Sequence, residues 1–330
     1  MRALAPGPAR PLVQLAVVFL LVVAPLLLGD FRLFLLTEIL IFGLFAASLD
    51  LLVGYTGLLS LGHAAYLGVG SYATALIAIH LTDNVFAGLA AGVASSCIVA
   101  AATGWLAVRT RGVYFLMLTL AFAQLLFTLA ITWDSLTHGA NGLPTPKPTL
   151  GPGDSGGALD GGTAFYYYAL VAFLFGLGLL RAVVASPFGR ALVGIRENES
   201  RMRSLGYATS RYKLAAFCLA GAVAGFAGSL TVQQSSFMSP SGVSFEVSAL
   251  ALIAVIIGGR ATLVGAVLGS AFVFVIRDEL SSAFNEHWRL VLGLVFIGVV
   301  YLLPRGISGL SARVGGLLTR RTERAAGEPA

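Results

Sequence analysis

The run LFLLTEILIFGLFAASLDLLV, from Leu33 to Val53, contains two carboxylates and no basic side chain. As a helix it reaches across a hydrocarbon core, which takes roughly 20 residues, and it lacks the alternation of a barrel strand. Working outward, similar apolar runs recur near 12–29, 58–80, 85–108, 113–132, 164–184, 213–233, 244–259, 262–280 and 289–303. Composition agrees, with 57% hydrophobic and 11% charged residues, against about 25% charged in a soluble domain. Mean hydropathy is +0.89. The fold class is therefore all-α: a polytopic helical integral membrane protein of about ten transmembrane helices. Between eight and eleven are admitted, because the glycine-rich third run and the short eighth run read equally as broken or re-entrant segments.

Lys and Arg stay on the cytoplasmic side of a membrane protein. With ten spans and Arg2 and Arg10 inside, Arg109, Arg111, the cluster Arg190–Lys213 and the tail Arg305–Arg324 also fall inside. Only Arg32, Lys147, Arg277 and Arg289 fall outside, so 17 of the 21 basic residues obey the rule and both termini are cytoplasmic. The net charge of +6 follows from topology, and no nucleic-acid partner is implied. The resulting organisation is a cytoplasmic segment 1–11, a membrane domain 12–303 and a basic cytoplasmic tail 304–330. Within the membrane domain lie an outer loop 133–163 and a charged inner loop 185–212. The first run is longer than a secretory h-region and has no clean cleavage site after it, so it reads as a helix. Pro and Gly in the outer loop predict irregular backbone; contact with an extracytoplasmic component and a mobile insertion fit equally.

Enzyme chemistry finds little support. A phosphate-binding loop needs G-x-x-x-x-G-K-[ST], and both lysines fail it, since Pro148 follows Lys147 and Leu214 follows Lys213. His63, His80, His138 and His287 are scattered without a second ligand at helical spacing, so no metal site is expected. No G-x-S-x-G elbow occurs. Cys97 and Cys218 lie in separate apolar runs and read as small packed hydrophobes.

Ionisable residues inside spans are costly and point to function by default. Glu38 and Asp50 stand about 120° apart in azimuth on one helix, so they do not form a relay face. Each is expected near a helix end, within reach of water or headgroups. Small residues recur at every fourth position, as Gly221, Gly225 and Ser229 and again as Gly265 and Gly269, a pattern that lets helix backbones approach closely in lipid. Packing inside the bundle explains both stripes.

The most charged stretch, FGRALVGIRENESRMRSLGYATSRYK, runs from Phe188 to Lys213. Ser186 and Pro187 suit an N-cap and first helical position, and Gly206 suits a C-terminal cap. Between them Leu192, Ile195, Met202 and Leu205 predict one apolar face, while Glu197–Arg201 and Glu199–Arg203 form i,i+4 pairs. The reading is a short amphipathic helix between two spans. Its mixed charge favours docking on a partner protein over lying on lipid.

Four blocks carry a resemblance: GYTGLLSLGHAAYLGVGSYATALI (54–77), TRGVYFLMLTLAFAQLLF (110–127), FGRALVGIRENESRMRSLGYATSRYKLAAF (188–217) and IIGGRATLVGAVLGS (256–270). In this order, over roughly residues 30 to 305, the chain resembles the branched-chain amino-acid ABC-importer permease family. Its extended outer loop is similar to that of the longer, LivM-type of the two permease subunits. The resemblance implies a bacterial inner-membrane subunit importing leucine, isoleucine and valine. It also implies a second related permease subunit, two cytoplasmic ATP-binding subunits, a periplasmic solute-binding protein and surrounding lipid as partners. ATP and Mg would be used by the partner subunits, with no cofactor held by this chain. Carried over by position, Arg196, Glu197, Glu199, Arg203 and Gly206 fall in the ATPase-coupling loop, and Tyr55, Thr56, Ser60 and His63 are the candidates for the translocation pathway. After Gly258 and Gly259 many relatives continue with leucine and glycine, whereas Arg260 and Ala261 follow here. Urea, short amides or other amino acids remain same-class substrates. An ion-coupled secondary transporter and a channel-like subunit remain alternatives of other classes.

Overall fold

The computed structural model describes residues 9–151, 159, 162–283, 288–302 and 306. Thirteen helices run through them: α1 (Ala9–Leu27), α2 (Asp30–Asp50), α3 (Ala64–His80), α4 (Val85–Ala107), α5 (Val113–Thr132), α6 (Asp134–Thr137), α7 (Gly162–Ala185), α8 (Pro187–Glu197), α9 (Glu199–Ser204), α10 (Thr209–Ser235), α11 (Phe245–Gly258), α12 (Leu263–Ala283) and α13 (Trp288–Leu302). The basic tail 304–330, except Gly306, lies outside the described residues, as does His287.

Among the described residues, five helices are long and apolar enough to cross a membrane: α2 with the π-helical turn Leu51–Thr56 that follows it, α4, α5, α7 and α10. A sixth candidate is α11 with α12, bent by 116° at the Gly259–Thr262 turn. Thus the eighth apolar run is half of a broken pair. The third run is also interrupted, because its first residues form a loop and α3, at 17 residues, is shorter than the membrane-crossing helices. The chain is a multi-pass helical membrane protein.

Burial ranks the helices. Most of the α2 segment and of α10 is buried, whereas most residues of α4, α5 and α7 are not, and these helices turn large apolar side chains outward. In lipid an apolar surface gains little by burial, so close packing and hydrogen bonds must join the helices. The small-residue stripe of α10 does this. A Cβ on Gly225 would overlap the Ser96 hydroxyl of α4, and one on Gly221 would overlap the Ala100 methyl. Ser96 Oγ donates to the Tyr66 carbonyl at 2.7 Å, Ser71 Oγ to the Gly228 carbonyl at 2.9 Å, and the Thr74 and Ser229 hydroxyls bond at 2.7 Å. Gly258, Gly265 and Gly269 similarly press α11 against α12. Both cysteines are free and partly buried.

Pro25 inside α1 lacks the amide that would bond the Leu21 carbonyl. Tyr166 of α7 supplies the missing donor, its hydroxyl lying 2.6 Å from Leu21 O, and Tyr167 donates to Val22 O at 3.0 Å. Side chains of a neighbouring helix thus satisfy backbone that lipid would leave unpaired.

At one end of the bundle the described part of the 133–163 segment is less irregular than its composition predicts. Leu143–Pro144 pairs antiparallel with Phe237–Met238, and Thr149 bridges to Asn84. The opposite end collects the basic segments: Arg111 lies beside α9, and Arg196 and the Gly259–Thr262 turn meet at the end of α2.

Candidate coupling and pathway site

Ser186 caps α8 as its position predicts, its hydroxyl accepting from the Gly189 amide, with Pro187 in the first turn. The chain departs from the single expected helix at Asn198, whose φ of −156° and ψ of 95° break it into α8 and α9. Asn198 then caps α9 by accepting from the Arg201 amide at 2.9 Å. The break has two consequences for the predicted face. Leu192 and Ile195 are buried, but Leu205 is 66% exposed, so the four apolar residues do not share one inward stripe. Glu199–Arg203 closes at 2.8 Å, while no ion pair joins Glu197 to Arg201 among the described residues, because Asn198 interrupts the helical register between them. Gly206, with φ +88°, makes the expected left-handed cap.

Glu199 is an internal anchor. It meets Lys213 Nζ at 2.8 Å and Arg111 at 3.4 Å in addition to Arg203, and accepts from the Thr209 hydroxyl at 3.2 Å. Partial burial works against its ionisation, but the hydrogen bond and charge of Lys213, helped by Arg111, hold the carboxyl below its ordinary range. Glu197 and Arg201 stay exposed.

Arg196, itself exposed, reaches the bundle at another point. Its guanidinium donates to the Gly54 carbonyl in the π-helical turn after α2. That carbonyl is available because the turn disrupts the α-helical ladder, which ends at Gly57 with φ +75°. Against the same turn lies the bend between α11 and α12. The Ala261 amide donates to Asp50 Oδ1 at 2.8 Å, and Tyr55 OH donates to the Ala261 carbonyl at 2.9 Å. Asp50 is 0% exposed, which corrects the expectation that it reaches water or a headgroup. Its carboxylate instead ties two interrupted helices together. Glu38 is half-buried.

The four pathway candidates cluster around this junction. Thr56 donates to the Leu52 carbonyl, Ser60 lies in the loop after the turn, and His63 precedes α3. His63 Nε2 and Ser48 Oγ bond at 2.8 Å; Ser48 spends its one hydroxyl proton on the Phe45 carbonyl at 2.7 Å, so the imidazole Nε2–H donates to Ser48 Oγ. The His63 ring stacks on Phe45 at 5.3 Å between centroids. Ser248 of α11 accepts from the Ala64 amide at 2.8 Å and so caps α3 from another helix. Thr56, Ser60 and His63 are buried and Tyr55 is half-buried.

A family model described as branched-chain amino acid transport system / permease component matches residues 31–300. The chain belongs to that permease family. The high-affinity branched-chain amino acid permease LivM of Escherichia coli K12 is 31% identical over 296 residues, covering 82% of this chain and 68% of LivM. LivH of Salmonella typhimurium is 25% identical over 284 residues, 81% of this chain and 91% of LivH. A shorter likeness, 32% over 124 residues and 36% of each chain, joins it to the autoinducer 2 import permease LsrC of Klebsiella pneumoniae. No solved structure matches. As a LivM-type ABC permease subunit the chain is a transport component and not an enzyme.

Membership gives Ala261 a sharper reading. It is one of three non-glycine residues with positive φ among those described, at +60°, in the position where the resemblance expects glycine. A Cβ in the left-handed region costs about 1–2 kcal/mol, partly offset by the lower unfolded entropy of alanine. Ala261→Gly is therefore expected to raise the stability of the purified permease by up to about 1 kcal/mol. Heating of detergent-solubilised protein followed by size-exclusion recovery measures it, and a lower midpoint would refute the strain.

Proposed function

We propose that this permease carries leucine, isoleucine and valine across the bacterial inner membrane. Its partners are a second related permease subunit, two cytoplasmic ATP-binding subunits that use ATP and Mg, and a periplasmic solute-binding protein. Substrate and partners rest on the family match and the likeness to LivM and LivH, and the coupling route rests on the Arg196–Gly54 hydrogen bond. It connects the charged loop to the point where α2, α11 and α12 are all interrupted, so a push on α8 is transmitted to the interior. Closure of the ATPases would move α8, shift the turn at Gly54 and the bend at Ala261, and open the buried cluster at His63 to one side of the membrane in turn.

In this reading the coupling residues divide by role. Arg196 and Glu199 brace the loop against the bundle, and Gly206 ends α9. Glu197, Arg203 and the exposed Leu205 and Tyr207 present the surface that the ATPase grips. The test is co-purification with the ATP-binding subunits. Leu205→Arg combined with Glu197→Arg is expected to weaken retention on the order of tenfold, about 1.4 kcal/mol, while the permease still inserts. Undiminished retention would point to a membrane-surface role for the loop. Uptake into proteoliposomes that persists without ATP and collapses with an uncoupler would favour a secondary transporter instead.

A further inference from the structure

At the end of the bundle away from α8, helices α2, α3, α10, α11 and α12 line a cavity of ≈ 170 Å³. Its place is set by Glu38, twelve residues and about 18 Å along the helix from Asp50. Gln234, just before the Phe237–Met238 strand, sets it also. The wall is mostly apolar, with Val247 and Leu250 of α11 contributing aliphatic surface. Two opposite charges enter it from separate helices, Glu38 of α2 and Arg277 of α12, with the Arg277 guanidinium 5.8 Å from the Phe274 ring centroid. The Gln234 side chain lines it too, its amide nitrogen donating to the Phe34 carbonyl at 3.0 Å.

Charge placed among membrane helices is costly and is retained where it faces a pathway. A carboxylate, a guanidinium and an aliphatic wall around room for several waters match one chemical class part by part. We propose that this cavity receives a zwitterionic α-amino acid with an aliphatic side chain. The ammonium lies at Glu38, the carboxylate at Arg277, and the side chain against Val247 and Leu250. The assignment rests on the amino-acid import reading above and names the place where substrate released at the outer face first contacts this chain. A neutral substrate such as urea has no use for both charges.

The experiment reconstitutes the full importer in proteoliposomes with saturating solute-binding protein, and measures radiolabelled leucine uptake and ATP hydrolysis in parallel. Glu38→Gln and Arg277→Gln are each expected to lower leucine uptake at least tenfold while ATP hydrolysis stimulated by the binding protein stays within twofold. Arg277→Lys, which keeps the charge, is expected to recover part of the uptake. Unchanged uptake in both variants overturns the site. So does a parallel loss of uptake and ATP hydrolysis without rescue by the lysine variant, which marks a structural role. The wild-type importer separates the two readings. If it moves another zwitterionic amino acid and not leucine, and the variants lose that uptake, the branched-chain assignment fails and the site stands. If it moves only a neutral solute, both fail.

Discussion

Gly54→Ala is expected to remove most folded permease. The added Cβ would overlap Asp50 Oδ1 and the Ala261 amide nitrogen, and these two atoms are bonded to each other at 2.8 Å. Neither is the free end of a flexible side chain, so the clash is relieved only by parting α2 from the α11–α12 bend. Overpacking of this kind costs about 1–3 kcal/mol, and a buried carboxylate that loses its donor adds a similar amount. A total of about 3 kcal/mol or more is expected. The same displacement would break the Arg196 bond to Gly54, so any protein that survives should be uncoupled. Recovery of monodisperse protein after heating measures the first effect and ATP-driven uptake the second. Gly29→Ala is the control, because a Cβ there meets nothing within 4 Å. Equal behaviour of the two variants would show that the junction is not as tightly packed as described.

Glu199→Ala is expected to release the α8–α9 loop from α10. Lys213 is 6% exposed, and loss of its 2.8 Å partner leaves a buried ammonium close to Arg111 and Arg203 with the shared carboxylate gone. Removing one member of a fully buried pair costs about 3–5 kcal/mol; Glu199 retains 18% side-chain exposure, so about 2 kcal/mol is the scale expected here. Limited trypsin digestion at Arg201 and Arg203 reads the release directly. Adding Lys213→Met removes the stranded charge and should restore much of the protection. A double variant as labile as the single one would contradict the argument. The pH dependence has a definite sign. The folded Glu199 carboxyl lies below its ordinary value, so its stabilisation is fully present above the unfolded carboxylate range and is lost as pH falls through the lower, folded value. Loop protection should therefore be flat through neutral pH and disappear only in acid.

Much of this architecture was legible in the chain. Apolar run length declares a helical membrane protein, because the hydrocarbon core imposes the length and forbids unpaired backbone. The fourfold spacing of Gly221, Gly225 and Ser229 announces a face where helices touch, since periodicity of 3.6 places every fourth residue on one side. Ser186, Pro187 and Gly206 mark the loop helices by backbone preferences local to each residue. The break at Asn198 was missed because asparagine in a run of helix formers is only weakly unfavourable; its side chain makes the break by capping α9.

Local sequence therefore declares the class, the packing stripes and the location of the charged loop, while which spans are interrupted stayed open until the bend between α11 and α12 and the turn after α2 were seen. The first three follow from residues within a few turns of one another. Tertiary structure alone decided where the polar atoms went. Arg196 meets a carbonyl 142 positions away and Asp50 an amide 211 positions away, and Glu38 shares a cavity with Arg277 of another helix. Helical periodicity fixes which way a side chain leaves its own axis and is silent on which helix lies opposite. In a bundle whose lipid solvent cannot satisfy polar groups, those pairings are settled by whichever helices pack closely enough to supply a partner.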